Sequence, residues 1–195
     1  MKIVDNALSE QVFGDFQNRV FNNPVQWYYT RTSISDDQCD TNTIYDNSFY
    51  HIAINDGQIN SDLGVYCNIV LLSILDKMGI YVDRIDRARF GLLEPKIIGK
   101  YINKAHIDQP QNHMVGLLYL NDSDGETIVY NEKYDLQSNV GMADYILNKE
   151  LTVMEKIECK SNRFVLFDGL HYHSSTCPTN VDRRIALNFN FTVKS

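Results

Sequence analysis

The sequence has no Cys-x-x-Cys pair. Cys39, Cys67, Cys159 and Cys177 lie far apart, which excludes a zinc knuckle and a dense disulfide framework and predicts reduced thiols. An excess of positive charge is also missing: 18 lysines and arginines against 25 acidic residues leave a net charge of −7. Phosphate-backbone binding is therefore not the expected task, and no nucleic-acid partner is favoured. Long hydrophobic runs are absent too. The longest, IVLLSIL from Ile69 to Leu75, is far too short to cross a bilayer. The opening MKIVDNALSEQVFGDF lacks the apolar stretch of a secretory signal, so a cytoplasmic protein without membrane contact is expected. No internal repeat or low-complexity tract interrupts the chain.

What is present is a globular composition, 44% hydrophobic and 11% aromatic over 195 residues, enough for one domain with a substantial core. Ser9 is placed to cap a helix whose Val12, Phe13, Phe16 and Val20 fall near one face. A second, more buried helix is predicted from Asp62 to Met78, with Gly79 ending it. Between them lie the aromatic segment VQWYYTRTSIS and the polar SDDQCDTN, which reads as a surface loop. Beyond Gly79 the pattern turns to short β-type runs: VDRIDRARFGLL, MVGLLYLN, ETIVYN, FVLFDG and RIALNFNFTV. Helices first and strands afterwards predict a mainly β, α+β architecture, a β-sandwich or jelly roll buttressed by N-terminal helices. Residues 1–195 are read as one domain, with 1–85 a helical support region and 86–195 the jelly-roll core.

Chemistry concentrates at two places. His106 and Asp108 are two residues apart, and in an extended segment they project from one face toward one point. Near the end of the chain, FVLFDG leads into His171 and His173 and then into Arg183 and Arg184. One carboxylate and two imidazoles on a single face of a metal form the triad of non-heme Fe(II) sites, which leaves coordination positions open. Alternation sends His171 and His173 to the same face, so geometry leaves both as candidates for the second imidazole. In the last strand Arg183 shares a face with Ile185, Leu187 and Phe189, and Arg184 with Ala186, Asn188 and Asn190. Burying a guanidinium among apolar side chains is costly, so Arg184 is the one expected to line a polar interior. His51 and His113 read as structural or surface histidines, and Asp122, Asp124 and Gly125 as turn chemistry.

The segments HID, LLYLNDSDGET and NRFVLFDGLHYH followed by RRIALNF together resemble the Fe(II)/2-oxoglutarate-dependent oxygenases, in the prolyl-4-hydroxylase-like branch with small phage and bacterial members. The likeness runs from about Arg89 onward and is loose in the helical half. It implies a double-stranded β-helix with His106, Asp108 and His173 as iron ligands and His171 as the alternative. It further implies that Arg184 binds the distal carboxylate of 2-oxoglutarate, with Tyr119 assisting and Thr127 lining the same pocket. The eleven residues from His173 to Arg184 keep Arg183 as the alternative cation.

The implied cofactors are Fe(II), 2-oxoglutarate and O2, with ascorbate a candidate accessory. The implied activity is hydroxylation of a C–H bond, since halogenating relatives lack the carboxylate that Asp108 supplies. A peptidyl proline is the substrate the branch suggests, while other protein or small-molecule substrates stay open, as does the oligomeric state. A non-catalytic jelly-roll binding module and a cupin-like metal isomerase or dioxygenase are the alternatives. Neither of these needs a distal-carboxylate arginine.

Overall fold

The first helix forms where the apolar spacing places it. In the computed structural model α1 spans Glu10–Phe21, and the Ser9 side chain accepts a hydrogen bond from the Val12 amide. This supplies one of the donors that a helix start leaves unpaired. Phe13, Phe16 and Val20 are buried, whereas Val12 is 44% exposed and lies off the buried stripe. The second helix, α2, spans Leu63–Lys77 and ends at Gly79, which takes a left-handed φ of +67°. The residues described are 1–30, 48–96, 101–142, 144–146 and 149–194. The expected polar loop SDDQCDTN, Cys39 included, lies outside them.

Eleven strands are present among the described residues. They are β1 (Lys2–Val4), β2 (Tyr28–Thr30), β3 (Ser48–Asn55), β4 (Gln58–Ile59), β5 (Val82–Leu93), β6 (Met114–Tyr119), β7 (Ser123–Lys133), β8 (Val153–Cys159), β9 (Phe164–Asp168), β10 (His171–Ser175) and β11 (Arg184–Val193). The major sheet has the order β1-β9-β6-β11-β5-β3-β2, with β4 on β3, and the minor sheet has the order β10-β7-β8. All these pairings are antiparallel. Two facing antiparallel sheets make the expected jelly roll. The expectation of helices first and strands afterwards needs correcting, because residues 1–85 also contribute β1 to β4. β3 lies between β5 and the edge strand β2 in the major sheet, burying Ala53 and Ile54 under α2.

Alternation in the central strands separates two apolar layers. Ile185, Leu187, Phe189 and Phe191 of β11 join Phe164, Leu166 and the helices in the larger core. Ala186 joins Val115, Leu117, Tyr119, Val165 and Phe167 between the two sheets. A two-residue period thus gives β11 one face for the helices and one for the jelly-roll interior. Cys67, Cys159 and Cys177 are buried.

Candidate active site

The segment before β6 brings His106 to β10. The His106 amide donates to the His173 carbonyl (3.0 Å) and the His173 amide donates to the His106 carbonyl (2.9 Å), a reciprocal antiparallel pair. Both side chains therefore stand on one face, with ring centroids 4.6 Å apart. Ile107 points the other way and is fully buried, while Asp108 returns to the face of His106. One ligand atom from each of His106, Asp108 and His173 lies within 4.8 Å of the others.

Their chemistry suits a divalent metal. His106 Nδ1 lies 3.0 Å from the Lys104 carbonyl oxygen and His173 Nδ1 lies 3.1 Å from that of His171. A carbonyl can only accept, so each Nδ1 carries the proton and each Nε2 keeps a free lone pair for a cation. Burial pushes the imidazole of His106 below its ordinary value, against the pull of Asp108. Burial, reinforced by His106, lowers His173 to about 4. Both rings are therefore neutral at physiological pH and able to offer a lone pair to a cation. Burial alone would raise the Asp108 carboxyl, but the Arg87 guanidinium and the two histidines hold it well below the usual carboxylate range. The donor set of two imidazoles and one carboxylate, with open positions, is that of non-heme Fe(II).

Asp108 is held on every side. Arg87 Nη2 donates to its Oδ1 at 2.6 Å, while Asn188 and Asn190 donate to its Oδ2 at 3.0 and 2.8 Å. Sequence reading placed Asn188 and Asn190 on the polar face of β11 but gave them no task, and it missed Arg87. The available signal was the charged alternation in VDRIDRARFGLL, where Arg87 and Arg89 share one face of a strand otherwise destined for burial.

The same cavity is lined by Thr127, Arg184, Ala186 and Leu117. Arg184 is 5% exposed and its Nη2 donates to Thr127 Oγ1 at 2.7 Å. Its Nε is buried without a hydrogen-bond partner, and among the described residues no carboxylate pairs with it. A buried, charged guanidinium facing a cavity calls for an anion. Tyr119 is fully buried beside Arg184, whose Cζ lies 5.5 Å from its ring centroid, and its hydroxyl donates to Thr127 Oγ1 at 2.7 Å. Burial raises the Tyr119 phenol to about 12, against the opposing pull of Arg184 and the hydrogen bond to Thr127, which keeps it a donor. Gly125 permits this packing, because a Cβ there would come within 2.6 Å of the Thr176 carbonyl oxygen and 2.8 Å of Arg184 Cδ.

The alternatives fall elsewhere. His171 Nδ1 is bound to the Tyr130 carbonyl at 2.8 Å. The pairing register slips between His171, opposite Lys133, and His173, opposite Val129, which breaks the simple alternation and separates His171 from the triad. Arg183 projects outward, its side chain 47% exposed, over the Phe21 ring. His51 is fixed between the Gln26 carbonyl and Ser61 Oγ and His113 beside the Gln111 carbonyl, and neither belongs to the His-Asp-His cluster.

No protein-family model and no curated protein matches the sequence. Solved structures do match in shape. A 2OG-Fe(II) oxygenase family oxidoreductase from Burkholderia pseudomallei aligns over 97% of this chain and 84% of its own, at a TM-score of 0.63 and 11% identity. The fold is that of the 2OG-Fe(II) oxygenases. A prolyl hydroxylase from Trichoplax adhaerens, solved with a hypoxia inducible factor peptide fragment, shares this oxygenase fold over 97% of the present chain and 82% of its own, with a TM-score of 0.57 and 14% identity. The epimerase SnoN, in complex with Fe3+, alpha ketoglutarate and nogalamycin RO, aligns over 97% and 77% of the two chains, with a TM-score of 0.63 and 12% identity. At these identities the oxygenase fold is what the likeness establishes. Among the described residues no helix is long and apolar enough to cross a membrane.

Proposed function

We propose that the chain is an Fe(II)- and 2-oxoglutarate-dependent oxygenase that hydroxylates a C–H bond of its substrate. The observation that carries this reading is the meeting, in one cavity, of a half-buried His-Asp-His cluster and a buried guanidinium without a carboxylate partner among the described residues, Arg184. A structural metal site would have no use for the second feature.

His106, Asp108 and His173 would hold the iron and Arg184 the C5 carboxylate of 2-oxoglutarate. Iron, 2-oxoglutarate and O2 together supply the oxidising power, converting a C–H bond to C–OH with release of succinate and carbon dioxide. The protein's own part is placement. The planar guanidinium of Arg184 grips a carboxylate by charge-assisted hydrogen bonds. Thr127 Oγ1 accepts from both Tyr119 and Arg184, so its own hydroxyl proton is free to point at the same carboxylate. The apolar walls Leu93, Leu117 and Ala186 exclude water, which strengthens every charge interaction inside.

A peptidyl proline is the narrower form of the proposal, supported by the sequence segments quoted above and by the peptide-bound fold neighbour. Ascorbate would then serve as an accessory. Succinate release should rise when a productive substrate is added, with a sixteen-dalton gain on that substrate. Absence of gain on any proline peptide, with succinate stimulated by another class of molecule, would refute the proline form only. Absence of 2-oxoglutarate turnover under any condition would refute the whole.

A further inference from the structure

Arg87 touches no atom that the functional reading assigns to substrate or 2-oxoglutarate, yet it is tied to a metal-ligating carboxylate. We propose that Arg87 is a positioning residue that confines Asp108 to one metal-facing oxygen and, through its charge, holds down the affinity of the site for divalent cations. The proposal rests on the functional reading given above.

The geometry divides the two oxygens of Asp108 between two tasks. Oδ1 accepts from Arg87 Nη2 at 2.6 Å, whereas Oδ2 lies toward the ligand histidine, 3.8 Å from His173 Nε2. Arg87 is itself fixed, because its Nε donates to Asn190 Oδ1 at 2.8 Å and Asn190 Nδ2 returns to Asp108 Oδ2 at 2.8 Å. Three side chains thus close a ring. Arg87 and Asn190 face each other on β5 and β11, so the ring is anchored in the middle of the major sheet rather than on a loop. A cation sitting among the three ligands would meet Oδ2, whose other partners are the neutral side-chain amides of Asn188 and Asn190, while Oδ1 is held by the charged guanidinium of Arg87. Were Oδ1 released, the carboxylate could chelate with both oxygens and fill a position that a two-point ligand such as 2-oxoglutarate requires.

The charge has a second effect. Outer-shell partners are usually carboxylates, carbonyls or waters that make a ligand more basic, and losing them weakens metal binding. A guanidinium does the reverse, drawing electron density from the carboxylate and repelling the incoming cation.

The two effects give opposite signs on two binding constants, which a scaffolding role would not. Mn(II) affinity of the metal-free protein and 2-oxoglutarate affinity of the Mn(II)-loaded protein are measured by calorimetry for wild type, R87M, R87Q and R87K, with thermal melting to confirm folding. R87M is expected to bind Mn(II) on the order of tenfold more tightly and 2-oxoglutarate about tenfold or more weakly. R87K, which keeps a cation, should return both to near wild-type values. R87Q carries the same expectation for Mn(II) should R87M not fold. Weaker Mn(II) binding in a folded neutral variant, or unchanged 2-oxoglutarate binding in R87M, overturns the proposal. Wild-type Mn(II)-loaded protein that binds no 2-oxoglutarate overturns the functional reading instead.

Discussion

At the scale of single residues the decisive group is Arg184, because a buried cation with no carboxylate partner among the described residues is a liability that a bound anion relieves. Replacing it with methionine should weaken 2-oxoglutarate binding by roughly 3 to 5 kcal/mol, the usual cost of breaking a buried charge pair. The same change should leave the melting temperature of the metal-free protein equal or higher, since it removes a buried charge that no carboxylate pairs with among the described residues. A drop in both would mark Arg184 as a packing residue. The facing argument in β11 made Arg184 legible from sequence, since Ile185 and Leu187 on the other face go to the helix-side core. What spacing could not show is that Thr127 stands between Tyr119 and the cavity. Nor could it show that Arg87 is brought to Asp108, 21 residues away, by pairing between strands. The histidines carry a pH signature in the metal-free protein. Their pKa values lie below the ordinary 6.5, with His173 at about 4, so the unfolded chain binds more protons across that interval. Stability should therefore fall as pH drops from about 6.5 toward 4, measured by urea denaturation, and H173Q should show a shallower decline. An equally steep decline in that variant would assign the effect elsewhere.

At the scale of elements the site depends on a β7 strand that can lie against Arg184. Gly125 leaves no room for a methyl group beside the Thr176 carbonyl and Arg184 Cδ. G125A should thus cost about 1 to 3 kcal/mol by overpacking and weaken 2-oxoglutarate binding as well. S9A, at the start of α1 and outside the cavity lining, should cost about 0.5 to 1 kcal/mol through the lost cap and leave that binding unchanged. Comparing the two by thermal melting and ligand titration separates global from local damage, and equal effects on binding would contradict the local role of Gly125. β5 and β11 were legible through alternation, and β6 and β9 as short continuous apolar runs that are buried on both faces. β3 was not, although Asp56 and Gly57 have positive φ values of 49° and 75° and form the tight turn to β4 that an Asp-Gly pair favours. Its run SFYHIAIN sits among helical segments in the chain, and only the long-range pairing with β5 reveals it as part of the major sheet.

At the scale of the whole molecule, the helices cover one face of the major sheet and leave its other face to enclose the triad. Fold class was legible because helices and strands carry different periods, and the triad because an H-x-D pair and a distant histidine share a face only in this architecture. The ordering of strands was not, since it follows from pairings far apart in sequence. Because the metal and 2-oxoglutarate would bind the folded state alone, Mn(II) with 2-oxoglutarate at about a hundredfold above their dissociation constants should stabilise the protein by about 2.7 kcal/mol per ligand. That corresponds to roughly 5 to 10 °C in melting temperature for each, and D108A should lose the metal-dependent part. The most direct test of the central claim is a crystal structure of the protein grown anaerobically with Mn(II) and 2-oxoglutarate. The account expects one cation held by His106, Asp108 and His173, with the C5 carboxylate of 2-oxoglutarate on Arg184 and Thr127. A cation bound elsewhere, or an oxo-acid that leaves Arg184 without an anion, would contradict it.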